Sequence, residues 1–239
     1  MNLLHLRSRA GSENSLRLRN LPGAARHVAG REQSFKADVE LPKQIGSGTL
    51  ATILLVRHAA HGDLGERLTG RGPERGLSQM GQEQAEALGR LLRMEPFDAI
   101  YSSPRLRTVQ TGQAIAAGRA IDVQTEDALD EIDFDEWTGR SFAELEGNPD
   151  WVRWNERRSQ ARCPGGESMV EAQARAAHFV GEVAERHSGG QIVLVTHCDI
   201  IRALLCHEHG RSLDDILSFE AGPASVTRLQ RGNARRAAA

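Results

Sequence analysis

The sequence predicts an α/β fold, a three-layer α/β/α sandwich around a mostly parallel sheet. Two observations carry this. Short apolar runs, too short for helices, alternate along the chain with longer stretches of helical period. Three of those runs also end in polar residues, as strands do when a ligand site lies beyond their carboxyl ends.

The elements follow in order. "TILLVR" (52–57) reads as a buried strand. "LSQMGQEQAEALGRLLRM" (77–94) has helical spacing at Ala85, Leu88, Leu91 and Leu92, with Ser78 as N-cap. "FDAIYSS" (97–103) is strand-like, and Pro104 opens a helix running to Ala116. "IDVQ" (121–124) is a weaker strand, and residues 141–160 read as short helices around Trp151 and Trp154. A long amphipathic helix over 167–187 ends at Gly189-Gly190. "QIVLVTH" (191–197) is the clearest buried strand, "DIIRALLCHEHG" (199–210) a helix and "ASVTRLQ" (224–230) a last strand. Strands alternating with helices imply a sheet covered on both faces.

The 239 residues suit one domain and a tail. Residues 1–50 show no sustained period and read as a flexible N-terminal extension; 51–230 form the domain, and 231–239 a basic disordered tail. A net charge of −2 argues against a nucleic-acid partner. Residues 1–50 hold eight Lys/Arg and four Asp/Glu, which leaves 22 Arg against 28 Asp/Glu in the rest, hence −6. An anion site in the body must therefore be a local concentration of positive charge. No apolar run approaches a membrane span, and three cysteines without a paired framework fit a reducing, cytoplasmic setting. The residues leave the oligomeric state open, a dimer included.

The first strand ends at Arg57-His58, the second at Ser102-Ser103 with Arg105 and Arg107 just beyond, the third at Thr196-His197. If these strands are parallel neighbours, two histidines and at least two arginines meet at one rim. Such a pocket suits a phosphate: arginine pairs with phosphoryl oxygens as a rigid fork, and helix N-termini add N–H groups. A histidine among arginines is kept neutral and nucleophilic.

"LLVRHAAHG", "LSQMGQEQA", "SSPRLRTVQT", "LDEIDFDEWTG", "PGGES" and "VTHCDIIRALL" stand in the order and spacing of the histidine phosphatase superfamily. Residues 52–229 resemble its phosphoglycerate-mutase-like group, and within it the small bacterial-type phosphatases. The resemblance implies that His58 takes the phosphoryl group, that Arg57 and Arg107 bind it, that His197 steadies it, and that Glu131 gives a proton to the leaving oxygen. It implies neither a cofactor nor a metal. Ala59 stands for the usual glycine after the nucleophile, and Leu64 for a phosphate-contacting asparagine whose place His61 can partly take. Asp135 replaces a glycine, and Cys198-Asp199 a common Gly-Gly at the rim. Cys198 is thus expected among the substrate-binding residues. Asp199 is expected to favour a cationic or hydroxyl-rich substrate.

Other residues read more plainly. Arg105 is expected on a helix surface, Trp151 and Trp154 in core or lid packing, and "PGGES" as the cap of the long helix, with Glu167 and Ser168 near its positive end; a role in shaping the pocket rim is the alternative that the resemblance implies. Cys206-His207-Glu208-His209 are consecutive on a helix end, point in different directions and make a poor metal site. The expected function is metal-independent hydrolysis of a small phosphomonoester, a phosphorylated metabolite, through a phosphohistidine on His58. A phosphomutase and a non-catalytic phosphate-recognition protein are the alternatives. Only about thirty residues separate Glu131 from "PGGES", which favours hydrolysis over the mutase.

Overall fold

The computed structural model describes residues 50–232. The expected leader and basic tail, apart from Leu50, Arg231 and Gly232, lie outside the described residues. Strand β1 (Ala51–Arg57) leads to helix α1 (Gln79–Leu91), β2 (Ala99–Ser102), α2 (Leu106–Ala116) and β3 (Val123–Thr125). Two short helices follow, α3 (Phe142–Leu145) and α4 (Pro149–Glu156), then α5 (Met169–Arg186), β4 (Gln191–Thr196), α6 (Cys198–Glu208) and β5 (Val226–Arg231). Short 3₁₀ segments at 127–129, 135–137 and 213–218 fill what read as loop.

The sheet order is β3-β2-β4-β1-β5. β1 pairs parallel with β4, and β2 parallel with both β3 and β4; β5 is the antiparallel edge beside β1. Strand periodicity sorts the central residues onto two faces. Ile53, Leu55, Tyr101, Ile192 and Leu194 pack against α5 and α6 in one buried cluster. Leu54, Val56, Ile100, Val193 and Val195 pack against α1 and α2 in the other. This is the three-layer sandwich expected, with both sheet faces covered.

Local chemistry explains the boundaries. Ser78 caps α1, accepting from the Gly81 N–H at 3.1 Å. Leu92 completes the buried stripe of Ala85 and Leu88, whereas Leu91 is 57% exposed. Pro104 lies two residues before α2 rather than in it, and Arg105 is the N-cap. Ser168 and Glu171 form a capping box that starts α5. Trp154 is fully buried, edge-on to Phe134 and Trp137, and Trp137 is edge-on to Trp151. Cys206 belongs to the core, Glu208 pairs with Arg231, and His209 stacks on Phe219. All three cysteines are free. Asp135 sits at φ +38°, a region that asparagine and aspartate tolerate better than other side chains. Among the described residues no helix is long and apolar enough to cross a membrane.

The start of α1 clamps the loop after β1. Ala60 O accepts from Ser78 N at 3.0 Å, and Ala60 N donates to Gln84 Oε1 at 3.0 Å. At Gly81 an added Cβ would lie 1.8 Å from Ala60 O, so only glycine allows this approach. Gly81→Ala should therefore destabilise the protein by about 1–3 kcal/mol. Urea unfolding of the two proteins measures this, and an unchanged midpoint would contradict the packing described.

Candidate active site

Register builds the site. Arg57 is the β1 partner of Thr196 in β4, so His58 and His197 leave neighbouring strands side by side. The His58 N–H donates to Thr196 O at 3.0 Å, and their ring centroids are 5.2 Å apart. Ser102 of β2 pairs with Val195, and Ser103 N donates to Val195 O at 2.9 Å. Ser103 thus arrives on the opposite flank of His197.

His58 is buried, and its Nδ1 lies 2.8 Å from Ala59 O. A carbonyl only accepts, so Nδ1 carries the proton and the lone pair is on Nε2. Burial, then Arg107 and Arg57, hold His58 well below the usual histidine range. Burial, Arg107 and His58 do the same for His197. His61 lies 5.4 Å from His58 between ring centroids; burial and then Arg107 push it down to about 4. Its buried Nδ1 has no partner.

Arg107 is buried, and its Nη2 donates to Gly70 O at 2.9 Å and to His197 Nδ1 at 3.1 Å. Arg57 is half-buried and donates from Nη1 to Ala221 O at 2.6 Å. The Cys198 thiol turns to the same carbonyl at 3.5 Å, and burial and then Asp199 raise it, so it is a neutral thiol. Glu131 Oε2 lies 3.7 Å from His197 Nδ1. Burial, and then the Asp199 charge, push Glu131 up to about 7 against the opposing pull of Arg107. The folded protein thus keeps a proton that an unfolded carboxyl releases above about 4.5. Stability from this group falls as pH rises from there to about 7.

The expected residues His58, His61, Arg107, Glu131 and His197 all come together, with Arg57 and Cys198 joined at Ala221. Four further residues secure them, of which the sequence singled out only Glu167, within "PGGES". Arg71 Nε and Arg175 Nη2 both donate to Glu131 O, at 2.7 and 3.1 Å. Glu167 bridges these arginines, with Oε1 2.7 Å from Arg175 Nε and Oε2 3.1 Å from Arg71 Nη2. The "PGGES" glutamate thus holds the Glu131 loop, while capping of α5 falls to Ser168 and Glu171. Asp130, the fourth, is buried and accepts from Glu131 N at 2.8 Å. Arg105 is not a free surface residue: its Nε lies 3.2 Å from Asp130 Oδ1.

Asp199 differs from expectation as well. Its carboxylate pairs with Arg158 at 2.7 Å and Arg202 at 3.6 Å, and its charge acts on Glu131 within the protein. In sequence only "PGGES" and the neighbours of Glu131 hint at this shell. Arg71, Glu167 and Arg175 meet through tertiary packing. Among the described residues, no three His, Cys, Asp or Glu side chains converge as a metal cage. A surface depression at Asp98, His187 and Gly190 lies at the amino ends of β2 and β4, away from the histidines.

Comparison with known proteins gives the same direction. The family described as "Histidine phosphatase superfamily (branch 1)" matches residues 53–238. The chain is 37% identical over 153 residues to phosphoserine phosphatase 1 of Hydrogenobacter thermophilus, covering 63% of this chain and 72% of that protein. It is 34% identical to a bifunctional protein of Mycobacterium tuberculosis, where 66% of this chain spans only 44% of the relative. Its fold is similar to a solved mycobacterial glucosyl-3-phosphoglycerate phosphatase, with a TM-score of 0.68, 25% identity, and coverage of 76% of this chain and 90% of that one.

The arginine clamp yields a stability test. Glu167→Ala leaves two half-buried arginines facing each other across a missing carboxylate. It should cost about 2 kcal/mol or more, at the lower end for broken buried pairs because the arginines are partly exposed. Denaturant midpoints measure it, and a loss within experimental error would show that the clamp contributes nothing.

Proposed function

The chain belongs to the histidine phosphatase superfamily (branch 1), and on that basis we propose that it hydrolyses a small phosphomonoester without a metal, through a phosphohistidine on His58. One observation carries the reading: a neutral, buried His58 with its lone pair on Nε2, beside Arg107 and a carboxyl that is still protonated near neutral pH.

In this reading Arg57 and Arg107 receive the phosphoryl oxygens. Cys198 contributes its backbone N–H, one of the unpaired donors in the first turn of α6, rather than its thiol. His61, with its unpartnered buried nitrogen, takes the place of the missing asparagine. His58 Nε2 attacks phosphorus as the ester P–O bond breaks. Glu131 gives its proton to the leaving oxygen, and His197 adjoins the transferring group. The Glu131 carboxylate then takes a proton from water, whose oxygen attacks the phosphohistidine. Phosphate leaves, and Glu131 and neutral His58 are restored. Charge on the equatorial oxygens makes positioning and electrostatics the main contributions to rate.

Two of the relatives are named for phosphoserine and glucosyl-3-phosphoglycerate. Phosphorylated amino and hydroxy acids are accordingly the first substrates to try.

Denaturing quench during turnover should trap phosphate on His58 in an acid-labile, alkali-stable bond. His58→Ala should remove both label and turnover, a loss of about a thousandfold or more. Label on Ser103 or Cys198 with an active His58→Ala protein would sink the mechanism.

The pH dependence has a definite sign. His58 is held neutral well below the usual range, and Glu131 keeps its proton up to about 7. Hydrolysis of an alkyl phosphate should therefore fall above about pH 7, because an alkoxide needs a proton. Glu131→Gln should abolish that limb and lower kcat/KM, which reports the transfer to His58, far more for alkyl esters than for p-nitrophenyl phosphate, whose leaving group hardly needs a proton. Equal losses in kcat/KM on both substrates would remove Glu131 from the role of acid.

A further inference from the structure

His197 is gripped from both sides, and the two grips demand the same tautomer. On one side Ser103 Oγ lies 2.8 Å from His197 Nε2 and 3.0 Å from Asp130 Oδ1, all three residues buried. A carboxylate only accepts, so the hydroxyl hydrogen goes to Asp130 and the Ser103 oxygen accepts from Nε2–H. On the other side Arg107 Nη2 is 3.1 Å from Nδ1. A guanidinium only donates, so Nδ1 carries the lone pair. Asp130 is itself fixed by the Glu131 N–H at 2.8 Å and by Arg105 and Arg71 at 3.2 and 3.6 Å.

We infer that Asp130 and Ser103 are positioning residues that hold His197 as its Nε2–H tautomer and support the charge it acquires when a phosphate dianion enters and Nδ1 takes up a proton. The inference rests on the phosphate reading of the pocket. Arg107 gives up Nδ1 when it turns to the phosphoryl oxygens. Nδ1 then binds a proton from solvent and donates it to a phosphoryl oxygen, and the proton returns to solvent when phosphate leaves. The groups facing His197 are Arg107 from α2, Asp130 and Glu131 from the loop, Arg57 from β1, His58 just after it, and Arg175 from α5. In the unliganded protein burial, and then Arg107, His58, Arg175 and Arg57, disfavour a second proton on the ring. An incoming dianion offsets the arginines, and the Asp130 carboxylate reaches the new charge through the Ser103 hydroxyl.

The test uses the full chain with ¹⁵N-labelled histidine rings and orthophosphate at pH 7. In the unliganded protein, Nε2 of His197 should be protonated and Nδ1 not; at saturating orthophosphate both should be protonated. Ser103→Ala and Asp130→Asn should lose the doubly protonated state and bind orthophosphate at least about tenfold more weakly, the effect of losing one charge-assisted hydrogen bond. An Nδ1–H tautomer in the unliganded protein overturns the inference, and it is read from the wild type even if a variant fails to fold. Variants that only melt earlier, with ring state and orthophosphate affinity unchanged, also overturn it, since that is a purely structural role. If orthophosphate leaves every wild-type ring signal unmoved, the phosphate reading of the pocket falls and the proton uptake with it. The unliganded tautomer still judges the hold of Asp130 and Ser103 by itself.

Discussion

The parallel pairing of β1 with β4 governs the site. With Arg57 opposite Thr196, the next residue of each strand is a histidine, and the sheet spacing sets the distance between the two rings. A slip of one residue would turn one of these histidines to the other sheet face and lose the pair. The buried alternation of Ile53, Leu54, Leu55 and Val56 against Ile192, Val193, Leu194 and Val195 makes such a slip costly, because it would exchange the residues of both cores. Core packing and site geometry are thus one constraint. β2 adds to it from the far side of β4, where it delivers Ser103, and α2 follows with Arg107.

Burial sets the chemistry of what the register brings together. Two histidines and a glutamate are removed from water, so each is pushed toward its neutral form. The arginines reinforce this for the histidines and oppose it for Glu131. The result is an unprotonated nucleophile candidate next to a protonated acid candidate at the same pH. Removing charged groups from water is costly, and the protein offsets the cost with shared partners. Glu167 serves two arginines, Asp130 serves a backbone N–H, a serine and two arginines, and Ala221 O serves Arg57 and the Cys198 thiol.

Much of the fold was legible in the residues. Strand runs such as "TILLVR" and "QIVLVTH" and the amphipathic stretch that became α5 were read nearly to their ends, since burial on both faces and a 3.6-residue period leave distinct marks. The ends that shifted are those where sequence gives weaker signals. Pro104 marks the approach to α2 rather than its first turn. The 3₁₀ turns have no periodicity at all. Of the site, His58, His197, Arg57, Arg107 and Glu131 stand beside strand ends or in motifs that set them apart. Asp199 and Arg105 were misjudged because a charge in sequence does not reveal its partner. Their partners Arg158, Arg202 and Asp130 decide that one is ion-paired within the protein and the other tied down.

By itself the sequence determined the alternation of strands and helices, the residues that end the strands and the family to which they point, because these depend on local pattern and on which side chains are present. Tertiary structure alone decided the hydrogen-bond partners of the His58 and His197 ring nitrogens, how far Glu131 is raised, and that Arg71 and Arg175, bridged by Glu167, converge on its backbone. Those properties depend on burial and on distances between residues up to about a hundred positions apart in the chain. Neither quantity exists until the sheet has closed its register.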